Sequence, residues 1–186
     1  MQIINTFIKI IRLETLHQRD FEFPLSHNIL LLCLTTVLTS LAAPEIPFND
    51  LWSKSMPTPI LAWSFVAAIS SVITLLISVV YYWFMRWWLS LQDYWDGQGN
   101  LLNVLLVTNS IASMIYLAAY LGMSNTIINC TFLIVWLYLT SYTLNSTFNI
   151  DLAHILSGQL IAIPLLITFS SLWILLIDML INLSFA

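Results

Sequence analysis

The chain has 186 residues, 60% of them apolar and 8% charged, with a net charge of −4. An average soluble domain is about one-quarter charged, so charges this sparse exclude a water-covered surface and make lipid the solvent for most of the chain. Five Lys/Arg against nine Asp/Glu exclude nucleic acid as a partner, because that binding needs clustered cations.

Residues 1–20 predict an amphipathic surface helix. Ile3, Ile4, Phe7, Ile8 and Ile11 share one helical face, and Asn5, Lys9 and Arg12 the other. Such a helix lies along a membrane with its basic side toward headgroups. Packing on a partner protein is the alternative.

Five apolar stretches follow, at about 28–43, 60–84, 101–121, 127–148 and 155–183. A spanning helix needs ~20 mostly apolar residues, and an open sheet edge cannot sit in lipid. The first stretch is short and ends at Pro44; the second can continue as helix to Leu91. Ser40-Leu41-Ala42 resembles a signal cleavage site, but the leader before it is too long, so no cleavage is expected. Pro57 and Pro59 suit a helix start. Asn100, Asn125 and Asp151 are expected to cap the third, fourth and fifth helices, and Pro164 to bend the fifth.

Lys9, Arg12 and Arg19 precede the first span, Arg86 follows the second, and Lys54 alone lies in the loop between. The positive-inside rule then puts the N-terminus inside and the C-terminus outside, in what reads as a bacterial inner membrane. Tyr81, Tyr82, Trp83, Trp87, Trp88, Tyr94 and Trp95 form the inner aromatic belt, with Trp52 and Trp63 at the outer one. Cys33 and Cys130 fall in opposite leaflets, too far apart for a disulfide.

The stretch WWLSLQDYWDGQGN, residues 87–100, holds the most polar chemistry. Asp93 and Asp96 fall where the second helix leaves lipid, and Gly97 and Gly99 permit a tight reversal. His27, His154 and Asp151 share that inner face, but no pair has ligand spacing along a helix, so no metal site is expected and the histidines are expected to be solvated. Asp178 is the ionisable group inside a span, near its outer end, where an interfacial role or an ion or proton role are both open. Asp93, Asp96, Gly97, Gly99 and Asp178 are the candidate partner contacts. No catalytic motif stands in the chain, and neither cofactor nor small-molecule substrate is expected.

Within the spans, Ser64, Ala67, Ala68 and Ser71, Ala118 with Gly122, and Gly158 with Ala162 have spacings that let helices approach closely. Asn103, Asn109, Asn129, Asn145 and Gln159 are expected to hydrogen-bond between helices, at ~1 kcal/mol each.

GQGNLLNVLLVTNSIA from Gly97, IVWLYLTSYTLNSTFNI from Ile134 and HILSGQLIAIPLLI from His154 resemble the Ypt-interacting protein (YIP) domain family in its compact bacterial form. The resemblance implies five spans with the N-terminus inside; the Asp-Leu-Tyr-Gly-Pro motif of eukaryotic members is absent. The expected fold is an all-α polytopic integral membrane protein in a single membrane domain: five transmembrane helices plus an N-terminal amphipathic interfacial helix. The expected function is non-enzymatic, an accessory, assembly or scaffold subunit that meets other integral membrane subunits through its helices. A small transporter or channel is the alternative.

Overall fold

A computed structural model describes residues 2–41, 59–91, 100–121 and 123–184, and every regular element among them is helical. The α-helices are α1 (Gln2–Ile11), α2 (Leu25–Leu41), α3 (Pro59–Ser90), α4 (Leu101–Ser113), α5 (Asn125–Phe148) and α6 (Leu152–Ser184). Short 3-10 stretches cover Gln18–Phe21 and Met114–Leu121.

Each long helix follows an apolar run, and its ends follow local chemistry. Pro59 opens α3, where its missing N–H costs nothing. Asn149 ends α5 in the left-handed conformation, at φ 56°, which asparagine tolerates. The Asn145 amide donates to the Ile150 carbonyl at 2.7 Å and stiffens the short turn into α6. Asn100 occupies the N-cap position of α4, but its side chain makes no capping bond. Ser124, not Asn125, is the N-cap of α5. The α6 helix continues through Pro164 to Ser184.

Among the described residues four helices contain a window long and apolar enough to cross a membrane: Ser71–Ser90, Leu101–Ala118, Thr126–Phe148 and Leu152–Phe169. The third of the expected spans is split, with α4 giving way to eight residues of 3-10 helix. At about 1.5 and 2.0 Å per residue the two parts together reach roughly 35 Å. The 17 residues of α2 reach only roughly 25 Å, short of the ~30 Å hydrocarbon core.

The helix α4 is the centre of the bundle, with both ends and most of its length buried. It packs against α2, α3 and α5, while α6 packs along α3 and α5. Inter-helix bonds fix the directions. Thr35 of α2 meets Ser110 of α4 at 2.9 Å, and Phe21 just before α2 meets Asn103 near the start of α4, so these helices run parallel. Trp88 near the end of α3 meets His154 near the start of α6, so those two run antiparallel. The end of α5 lies at the same end of the bundle, where Ser146 accepts a hydrogen bond from the Leu16 amide.

The expected helix over the first 20 residues stops at Ile11. Leu13 turns the chain at φ 54°, and the Glu14 amide donates to the Lys9 carbonyl, as in a helix-closing motif. The apolar face of α1 is also divided. Ile10 and Thr6 are buried, and Ile3 and Phe7 pack against the core, whereas Ile4, Ile8 and Ile11 point outward. Lys9 pairs with Asp20 at 2.7 Å.

Partial burial raises the Asp20 carboxyl, but the Lys9 ammonium and the His17 amide outweigh it and hold the group below its ordinary 3.8. A lowered folded value means the contribution is complete above the unfolded value and lost as pH falls through the folded one. Hydrogen exchange over residues 2–21, corrected for intrinsic rate, is therefore expected to speed up between about pH 6 and about pH 3. Asp20→Asn is expected to flatten that difference.

Candidate functional site

The residues expected to carry partner contact fall at the margins. Asp93, Asp96, Gly97 and Gly99 lie outside the described residues. Asp178 falls in the C-terminal part of α6, and its side chain too lies outside them. Among the described residues no group of three His, Cys, Asp or Glu side chains comes together. The thiols of Cys33 and Cys130 are free and exposed.

The aromatic cluster divides along the helix. Trp83 and Trp87, four residues apart, are exposed, and Arg86 stands 5.6 Å over the Trp83 ring. Tyr81, Met85 and Leu89 turn inward. Trp88 leaves the expected belt and joins α6: its indole N–H donates to the His154 carbonyl at 2.9 Å. In return His154 Nε2 lies 3.1 Å from the Trp88 carbonyl, and the two rings stack at 5.3 Å and 17°. His154 is thus a packing residue, not a solvated one. Gly158 lies directly beneath the indole, which takes up the space that its missing Cβ leaves. By contrast Ala68 and Ser71 are exposed.

A polar seam runs through the bundle. Thr35 meets Ser110, which donates toward the Leu31 carbonyl; Thr140 donates to Thr108 at 3.2 Å; Ser141 donates to Gln159 at 2.8 Å. Hydroxyls therefore do most of the bridging expected of amides. Of the five amides, Gln159 joins two spans. Asn103 instead holds the N-terminal segment through the Phe21 carbonyl, Asn145 closes its own turn, and Asn129 is exposed. Hydroxyls set within the apolar runs, such as Thr108, Ser110 and Thr140, were the available signal.

Beside the seam is a cavity of about 240 Å³ walled by α3, α4, α5 and α6. Leu105 and Ile163 are among its apolar lining, Tyr81 and Trp136 supply rings 5.1 Å apart, and Asn109 supplies an amide. Tyr81 is 6% exposed and its hydroxyl has no hydrogen-bond partner. The amide nitrogen of the fully buried Gln159 is also unpaired.

Among the described residues these features define an all-α helical bundle with four helices able by length and composition to cross a membrane. No family model matches the chain, and no curated protein or solved structure does.

Proposed function

We propose that the chain is a five-span integral membrane protein of the bacterial inner membrane, N-terminus inside and C-terminus outside, and a non-enzymatic subunit of a larger membrane complex. Its role is accessory, in assembly or as a scaffold, and its sequence pattern is YIP-like. The alternating directions of α2 to α6 support five crossings, with α2 short but held along α4 by Thr35 and Ser110. The exposed isoleucines of α1 support a helix lying in the interface. The observation that carries the subunit reading is the outer surface of α5 and α6. Ile134, Leu160, Ile167 and Leu175 are all at least 60% exposed there. Such side chains are covered only by lipid or by another membrane helix.

A photoreactive residue at Ile134 or Leu175 tests this in the intact membrane. A discrete, stoichiometric adduct to one other membrane protein is expected. Lipid adducts alone at both positions would sink the reading.

The second reading, a small transporter or channel, draws on Asp178 within the apolar run of α6. Asp178→Asn is expected to leave thermal stability nearly unchanged and to alter no ion flux in liposomes. A flux that the wild type carries and this variant lacks would replace the subunit reading with transport.

A further inference from the structure

The cavity combines three properties that point to an occupant. Its walls are apolar and carry no charged side chain among the described residues, so a charged ligand would lose its hydration without recompense. It also holds an unpaired donor: the Tyr81 hydroxyl is more than nine-tenths buried and has no hydrogen-bond partner. Leaving such a group unpaired costs about 1–3 kcal/mol, and an acceptor on a ligand removes that cost. Finally, Leu133 and Ile167, on the outer sides of α5 and α6, form part of its rim and are partly exposed. The opening therefore lies on the apolar outer face of α5 and α6, which lipid or another membrane helix covers.

Size and shape narrow the class. A volume of about 240 Å³ equals roughly eight times a water's share of the liquid, enough for one ring with a short substituent. Tyr81, Phe132 and Trp136 give aromatic walls that suit a flat ring. A plain acyl chain would leave the Tyr81 hydroxyl unpaired. Tyr81 lies nine residues inside the end of α3, about 13 Å along the helix, and so deeper than the Trp87 level where headgroups begin. An ester carbonyl near the headgroups sits too high, whereas a ring dissolved in the acyl region carries its carbonyl to that depth.

We propose that this cavity binds an uncharged, flat, carbonyl-bearing molecule dissolved in the bilayer, a quinone by chemical class, entering between α5 and α6 and accepting a hydrogen bond from Tyr81. The site goes beyond the subunit reading, and the two fail separately: the photoadducts probe the outer surface, this site an interior.

The test is saturation binding of radiolabelled decyl-benzoquinone to the full chain in phosphatidylcholine nanodiscs, with methyl decanoate and decane as separate arms. The expected result is one saturable quinone site, with the ester weaker and decane weaker still. Tyr81→Phe is expected to weaken quinone binding by roughly three- to tenfold, the share of one hydrogen bond, and to leave decane binding unchanged. Leu133→Trp, at the exposed rim, is expected to abolish binding with helix content and melting temperature intact, which keeps the test sound if Tyr81→Phe unfolds. Quinone binding no greater than in empty nanodiscs overturns the proposal. So does binding that ignores both variants. Ester binding as tight as quinone binding overturns the quinone assignment in favour of a lipid ester.

Discussion

Gly158→Ala is expected to destabilise the bundle by about 2–3 kcal/mol. A Cβ at position 158 would stand 2.4 Å from Trp88 Cδ1, 2.6 Å from its Nε1 and 2.9 Å from its Cγ. Carbon atoms settle at about 3.5–4.0 Å, so the indole must move by about 1 Å or more. That movement breaks the bond from the indole N–H to the His154 carbonyl and pulls the ring off its stack on His154. The clasp joins the end of α3 to the start of α6, so its loss is felt along the packing of both helices. Unfolding by sodium dodecyl sulfate in bicelles, followed by circular dichroism, gives the number. A second variant separates the clash from a general packing effect. Trp88→Ala removes all three offending ring atoms, so Gly158→Ala on that background should cost much less than it does alone. Equal costs on both backgrounds would show that Trp88 is not what Gly158 makes room for.

The same clasp shows how far the sequence could be read. Length and hydropathy marked every long helix, because a run of apolar residues in lipid has no other way to satisfy its backbone. They could not say which way each side chain faced, yet part of that was written in the spacing. Tyr81, Met85 and Leu89 recur every four residues and turn inward together, while Trp83 and Trp87 recur on the opposite side. Reading the aromatics as one belt hid that division. Amides were assigned the bridging between helices because they are the more polar groups. Asn103 and Asn145 instead lie near helix ends, where a loop carbonyl is closer than a neighbouring helix. Short hydroxyls, which fit between close helices, bridge at mid-length. The break after Ile11 had no glycine or proline to announce it; Leu13 takes the left-handed turn itself. The cavity draws its walls from four helices, so no window of sequence contains it. Of the residues expected to meet a partner, Asp93, Asp96, Gly97 and Gly99 fall outside the described residues.

Asn103→Leu is expected to release the N-terminal segment while leaving most of the bundle folded. The Asn103 amide donates to the Phe21 carbonyl at 2.6 Å in a buried position, and Phe21 itself is 1% exposed. Leucine has nearly the same size but no donor, so it strands a buried carbonyl at a cost of about 1–3 kcal/mol. Two other attachments remain. The Tyr142 hydroxyl donates to the Leu13 carbonyl at 2.6 Å, and the Leu16 amide donates to Ser146 at 3.2 Å. The segment should therefore open more often without detaching. Trypsin cleavage after Arg19 is expected to speed up by about tenfold, the factor that 1.4 kcal/mol produces when opening is fast. Tyr142→Phe removes a bond at an exposed site and should have a smaller effect. The melting temperature then decides what the segment is. Ile10, Leu16 and Phe21 belong to the same buried cluster as Val104 and Leu105 of α4. If they are part of the core, Asn103→Leu lowers the melting temperature along with protection at Arg19. If the segment is a surface helix that merely rests on the bundle, cleavage rises and the melting temperature stays where it was. The burial of those three side chains favours the first outcome, in which α1 is tethered to the bundle and presents Ile4, Ile8 and Ile11 outward from a fixed position.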